Sequence, residues 1–95
     1  MTWTRFMDMH SGGGRKLAFE YVYIEAAEDE AVRIFEADLD RDPRNVTCRC
    51  CGGDYSFNEE DSLEEATQYD RHDATIEEWL ASPDVKVIRA GEVKP

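Results

Sequence analysis

Leu17-Ala18-Phe19-Glu20-Tyr21-Val22-Tyr23-Ile24, followed after Glu25-Ala26-Ala27 by Glu28-Asp29-Glu30-Ala31-Val32-Arg33-Ile34-Phe35-Glu36-Ala37-Asp38-Leu39, decides the fold class. In the first stretch Phe19, Tyr21 and Tyr23 share one parity and Val22 and Ile24 the other. A strand over Leu17–Ile24 follows, rich in the aromatic and β-branched residues that suit a pleated surface. In the second stretch the period lengthens. Ala31, Val32, Phe35 and Leu39 fall on one side of a helix, and Asp29, Arg33, Glu36 and Asp40 on the opposite side. Glu28, Asp29 and Glu30 stand in its first turn, where the helix dipole favours negative charge. Asp42-Pro43 ends it, because the residue before proline is pushed out of helical geometry.

Upstream, Trp3 to Met9 alternates as a strand, with Trp3, Arg5, Met7 and Met9 on one face and Phe6 and Asp8 on the other. Ser11-Gly12-Gly13-Gly14 then forms a turn, so the chain opens on a β-hairpin. Downstream, Asn45–Thr47 and Asp54–Phe57 read as a knuckle-type hairpin with residues 48–53 at its tip. Ser62-Leu63-Glu64-Glu65 and Thr75-Ile76-Glu77-Glu78 are capping-box patterns. The first starts a helix running to about Tyr69, and the second a short helix with Ile76, Trp79 and Leu80 on its apolar face. Ser82-Pro83 stops that helix, and Val85–Ile88 is a final strand. The order β-β-α-β-β-α-α-β predicts a small α+β domain over residues 1–95. Trp3, Tyr21, Tyr23 and Trp79 are expected in its core; the Phe19/Tyr21/Tyr23 row becomes a contact patch only if its face stays uncovered.

Ninety-five residues suit one domain, and 41% hydrophobic residues supply a core. The chain carries 22 acids, 11 bases and a net charge of −11. The acid is concentrated. Residues 20–42 hold nine acids against two bases, for −7, and residues 54–78 hold ten against one, for −9. Between them lies a +2 segment bearing three cysteines. A protein that binds nucleic acid through counterion release needs a basic footprint, which excludes direct DNA or RNA binding as the expectation. The same charge argues against anionic membranes, and no apolar run is long enough to cross one. Met1–His10 has Arg5 and Asp8 among its apolar residues and no long apolar run, so it does not read as a secretory signal, and adjacent Cys50 and Cys51 make a poor disulfide framework, so a reducing cytoplasm is expected.

Acidic faces usually serve solubility. Their sharper meaning is a surface offered to a basic partner protein, spaced carboxylates standing where phosphates would. Asp29, Glu36, Asp40, Glu59, Glu60, Glu64 and Glu65 are the candidate contacts. Val46-Thr47-Cys48-Arg49-Cys50-Cys51-Gly52 carries the other signal, a single C-x-x-C-G knuckle. Such a turn aims two thiolates at one zinc ion, and a structural site needs four ligands. Cys48 and Cys51 are the candidate pair, Cys50 a third ligand, and His72 or His10 a fourth. A site shared between two copies, making a homodimer, is the other arrangement. A redox role is disfavoured, since no helix N-terminus follows Cys51 and the neighbouring acids would raise a thiol pKa. Ser11–Lys16 lacks phosphate-loop spacing. No nucleophile elbow accompanies either histidine, and the paired carboxylates lie on polar stretches, so no enzyme is expected.

Several of these segments together resemble a family of small uncharacterised bacteriophage proteins. The resemblance is carried by Trp3-Thr4-Arg5-Phe6-Met7-Asp8-Met9-His10-Ser11-Gly12-Gly13-Gly14, by Tyr23-Ile24-Glu25-Ala26 with Glu28-Asp29-Glu30-Ala31, and by the Val46–Gly52 knuckle. Pro83-Asp84-Val85-x-Val87-Ile88-Arg89-Ala90 completes it. It covers most of the chain, while the segment around Asp70–Ala74 is shorter than in that family. It implies expression in the cytoplasm of an infected bacterium. There, small acidic accessory proteins bind and inhibit host machinery, including nucleic-acid-handling defence (as anti-CRISPR proteins do) and transcription proteins. A structural zinc-knuckle module that helps assemble a larger complex is the alternative.

Overall fold

The computed structural model describes residues 2–10, 13–15, 17–47 and 52–92. Alternation in Trp3–Asp8 (β1) places Phe6 opposite Val22 and Arg5 opposite Tyr23 of the antiparallel neighbour β2 (Tyr21–Ile24). Gly13 helps the chain turn between them with a φ of +99°, open to glycine at little cost. After β2 the helix α1 (Glu28–Leu39) forms with the predicted bounds, ending where Asp40 adopts a left-handed conformation. β3 (Tyr55–Glu60) adds antiparallel to the other side of β1, with Phe57 opposite Phe6. Two five-residue helices follow, α2 (Leu63–Thr67) and α3 (Ile76–Leu80), and β4 (Val85–Ile88) runs parallel to β2. The sheet order is β3-β1-β2-β4, so β3 and β4 are its edges.

Each face of this sheet is covered. On one, Phe6, Val22, Ile24, Tyr55 and Ile88 pack against Ala31, Val32, Ile34 and Phe35 of α1. Phe35 meets Phe6 at 4.8 Å and Tyr55 edge-on at 4.9 Å between ring centroids, and a fully buried aromatic of this kind contributes roughly 1.5–3 kcal/mol. On the other face, Trp3, Tyr23 and Val85 pack with Ala66, with Leu63, Trp79 and Leu80 around them. The result is the expected α+β architecture in three layers.

Three local expectations change. The strand read from Leu17 begins only at Tyr21; Leu17 and Phe19 pack against the α1-side core. Phe19 therefore does not extend the Tyr21/Tyr23 row, and Trp79 covers that row, leaving Tyr23 fully buried and no open patch. Asn45–Thr47 is not a regular strand, although Asp54 N still donates to Asn45 O at 2.8 Å, and the second strand continues to Glu60 and pairs with β1 instead. The physical reason is Asp54, whose buried carboxylate accepts from Asn45 Nδ2 at 3.1 Å and Thr47 N at 2.9 Å and holds the segment as a loop. Finally, α2 stops at Thr67 rather than near Tyr69, which stands largely in solvent.

Candidate functional site

The two acidic segments meet at β3. Glu59 Oε1 accepts from Glu28 N at 2.6 Å, so a carboxylate of the second segment satisfies a free amide at the start of α1, in the first. Neighbouring side chains of a strand point to opposite faces, and Glu59 and Glu60 accordingly divide between the α1 and α2 sides. Glu60 pairs in register with Trp3, whose side chain packs in the core with Ala66 of α2. Beyond it stand Asp61 and the exposed Glu64 and Glu65 of α2. Glu28, Asp29 and Glu59 thus border one side of this edge, and Glu60, Asp61 and α2 the other.

The seven predicted contact residues are not one cluster. Asp29, Glu59, Glu60, Glu64 and Glu65 gather at the β3 edge. Glu36 lies two turns along α1, and Asp40 caps its far end about 18 Å from Glu28, at 1.5 Å per residue. Between α1 and β3 runs an open groove of about 510 Å3, floored by Val32 and Phe57 and bordered by Glu28, Asp29, Arg33 and Arg44. A hydrogen bond from its side chain to Asp42, aided by Glu36 and Asp29, holds the Arg44 guanidinium above its ordinary pKa. Positive charge is therefore interleaved at one end of an otherwise acidic rim.

The knuckle cysteines Cys48, Cys50 and Cys51 lie outside the described residues. Among the described residues no group of three or more histidines, cysteines, aspartates or glutamates is placed to hold a metal. His10 is bonded to Glu20 at 2.7 Å, and its neighbour Met9 N donates to Asp54 O, three residues after Cys51. His72 sits instead on the exposed loop between α2 and α3. Gly52 has a φ of +78°, a conformation open to glycine at little cost.

Besides Asp54, the sequence reading passed over two further buried polar centres. Asp70, on the loop after α2, accepts from Arg5 Nε at 2.6 Å and Nη2 at 2.5 Å and from the Tyr23 hydroxyl at 2.6 Å. Trp79 Nε1 in turn donates to Tyr23 Oη at 2.9 Å. The hydrogen bond to Asp70 raises the Arg5 pKa, and burial foremost pushes the Tyr23 phenol far above its ordinary range. Arg5 on an otherwise apolar strand parity was the available signal; Asp70, in a polar stretch, offered none. Tyr55 is the second centre. Its hydroxyl is buried with no hydrogen-bond partner among the described residues, and burial raises its pKa, with the nearby Asp8 adding to the shift.

The chain matches no protein-family profile, no curated protein and no solved structure. No helix among the described residues is long and apolar enough to cross a membrane.

Proposed function

We propose that this chain is a non-enzymatic binding protein whose acidic rim along β3 engages the basic surface of another protein, one that otherwise holds nucleic acid. The single observation that carries this reading is the Glu28–Glu59 hydrogen bond: two acidic segments far apart in sequence are brought to one edge. Carboxylates lie on both sides of that edge and outnumber the bases Arg33 and Arg44 that line the groove, and complementary potentials of this kind raise association rates and select partners. The ion pair of the half-buried Arg5 with the buried Asp70 supports it by fixing the loop that follows α2, so the rim is presented by a rigid scaffold. In the infected bacterium that the sequence resemblance implies, the partner is a host defence or transcription protein, and binding displaces its nucleic acid.

Immobilised chain exposed to the heparin-retained fraction of a bacterial lysate tests this. A specific protein is expected to be held at low salt, released as salt rises, and displaced by duplex DNA. Reversing Glu64 and Glu65 to lysine is expected to weaken capture about tenfold or more. Retention indifferent to salt, DNA and those reversals would contradict the proposal.

A further inference from the structure

The β3 edge offers more than charge. Met9 N donates to Asp54 O, which sets the alternation of the ladder: Ser56, Asn58 and Glu60 turn their backbone groups to β1. The amides and carbonyls of Phe57 and Glu59 then point outward, and among the described residues no strand pairs with them. Unpaired backbone groups on an edge are a template for an added strand. At the same edge the side chains of Phe57 and Glu59 lie on the α1 side, beside the groove floored by Val32 and Phe57.

From this we infer that β3 is a strand-addition site for a basic extended segment of the partner. The inference rests on the acidic-rim reading and specifies its mode of contact. Side-chain positions across β3 fix the pattern the segment needs. Opposite Phe57 stands an apolar residue, seated over Val32 and Phe57. Two positions away, on the same face, a base lies opposite Glu59 and within reach of Glu28 and Asp29. A second base on the other face lies opposite Glu60, towards Glu64. In an antiparallel segment this reads base-base-x-apolar from N to C. Charge selects such a segment over a second copy of this chain, because two molecules of net charge −11 repel and an added β3 would bring its own Glu59 and Glu60 into the rim.

The test uses the full ¹⁵N-labelled chain and acetyl-Lys-Lys-Thr-Val-Thr-Tyr-amide. A second peptide is N-methylated at the valine and at the second lysine, the two residues whose amides face β3, and a third has both lysines replaced by glutamate. The first peptide is expected to shift and protect the Phe57 and Glu59 amides. The N-methylated peptide is expected to bind about tenfold more weakly, since it keeps the charge and loses the backbone bonds. The glutamate peptide is expected not to bind. Equal binding by the first two peptides, with shifts spread over α1 and α2, would overturn strand addition while leaving the acidic-rim reading intact. Binding by neither would also overturn strand addition, with the lysate capture deciding the broader reading on its own. A concentration-dependent dimer protecting the same amides would overturn the choice of a basic partner.

Discussion

The two faces of the sheet are held by different physics. α1 covers its face with a twelve-residue helix whose buried side chains are all apolar: Ala31, Val32, Ile34 and Phe35. α2 and α3, with five residues each, bury only Ala66 and Thr67 between them. Helices this short are not stable by themselves and cannot bury enough apolar surface to be held by packing alone. On their face a chain of hydrogen bonds, Trp79 to Tyr23 to Asp70 to Arg5, ties a loop and a helix to the central strands. A long amphipathic helix docks by its stripe; short capped helices need a specific polar anchor.

The largest effects should separate these two modes. Phe35→Ala removes an aromatic in contact with Phe6 and Tyr55 and is expected to cost about 3–5 kcal/mol in chemical denaturation, lowering stability throughout the chain. Asp70→Ala leaves Arg5 without its partner, and the loss is expected to reach about 3 kcal/mol or more. Hydrogen exchange is expected to show it first as local opening of residues 62–82, with α1 still protected. The double replacement Arg5→Met/Asp70→Leu is expected to recover most of that loss, because an apolar pair needs no desolvation. A double variant as unstable as Asp70→Ala would show that the pair's geometry, not its charge, holds the face.

Tyrosine ionisation gives a smaller contrast. Tyr23 and Tyr55 have phenol pKa values raised above the ordinary 10 in the folded chain. Above pH 10 the unfolded chain has released protons that the folded chain still holds. Stability is therefore fully present below pH 10 and falls as pH rises beyond it, by up to about 1.4 kcal/mol per pH unit for each. Tyr55→Phe should remove one such contribution to the slope. It also deletes a buried hydroxyl that has no partner among the described residues, so at neutral pH it is expected to be neutral or stabilising by about 1 kcal/mol. Tyr23→Phe should instead destabilise, since its hydroxyl links Asp70 and Trp79.

A comparably small effect concerns a cap. Thr75 and Glu78 form a reciprocal capping box, and the hydrogen bond from Thr75 N holds the Glu78 carboxyl below its ordinary pKa. Thr75→Ala is expected to cost about 1 kcal/mol by thermal melting, with the amides of α3 exchanging faster.

The contrast between the faces also explains what could be read from the residues. The hairpin, α1, both short-helix caps and β4 follow from periodicity and capping, which are local. The pairing of β3 with β1, rather than with Asn45–Thr47, depends on where Asp54 buries its carboxylate, and no local pattern records that. Asp70 looks like any other acid in a solvated stretch until the fold sets it beside Arg5. The acidic residues were legible as two segments; their meeting at Glu28 and Glu59 was not, because it is a long-range contact across the sheet edge.

That meeting is the central claim, and an equal-charge comparison tests it most directly. One variant neutralises Glu59, Glu60 and Glu64 to glutamine at the β3 edge. Another neutralises Asp38, Asp73 and Glu77, which are exposed and lie on the far part of α1, the α2–α3 loop and α3. Both change the net charge by the same amount. Binding to the captured basic partner is then measured across a salt series. The edge variant is predicted to lose about tenfold or more in affinity and much of its salt dependence, and the distant variant to bind nearly as the original chain does. Equal losses in both variants would contradict the account, since net charge and not the assembled edge would then explain binding.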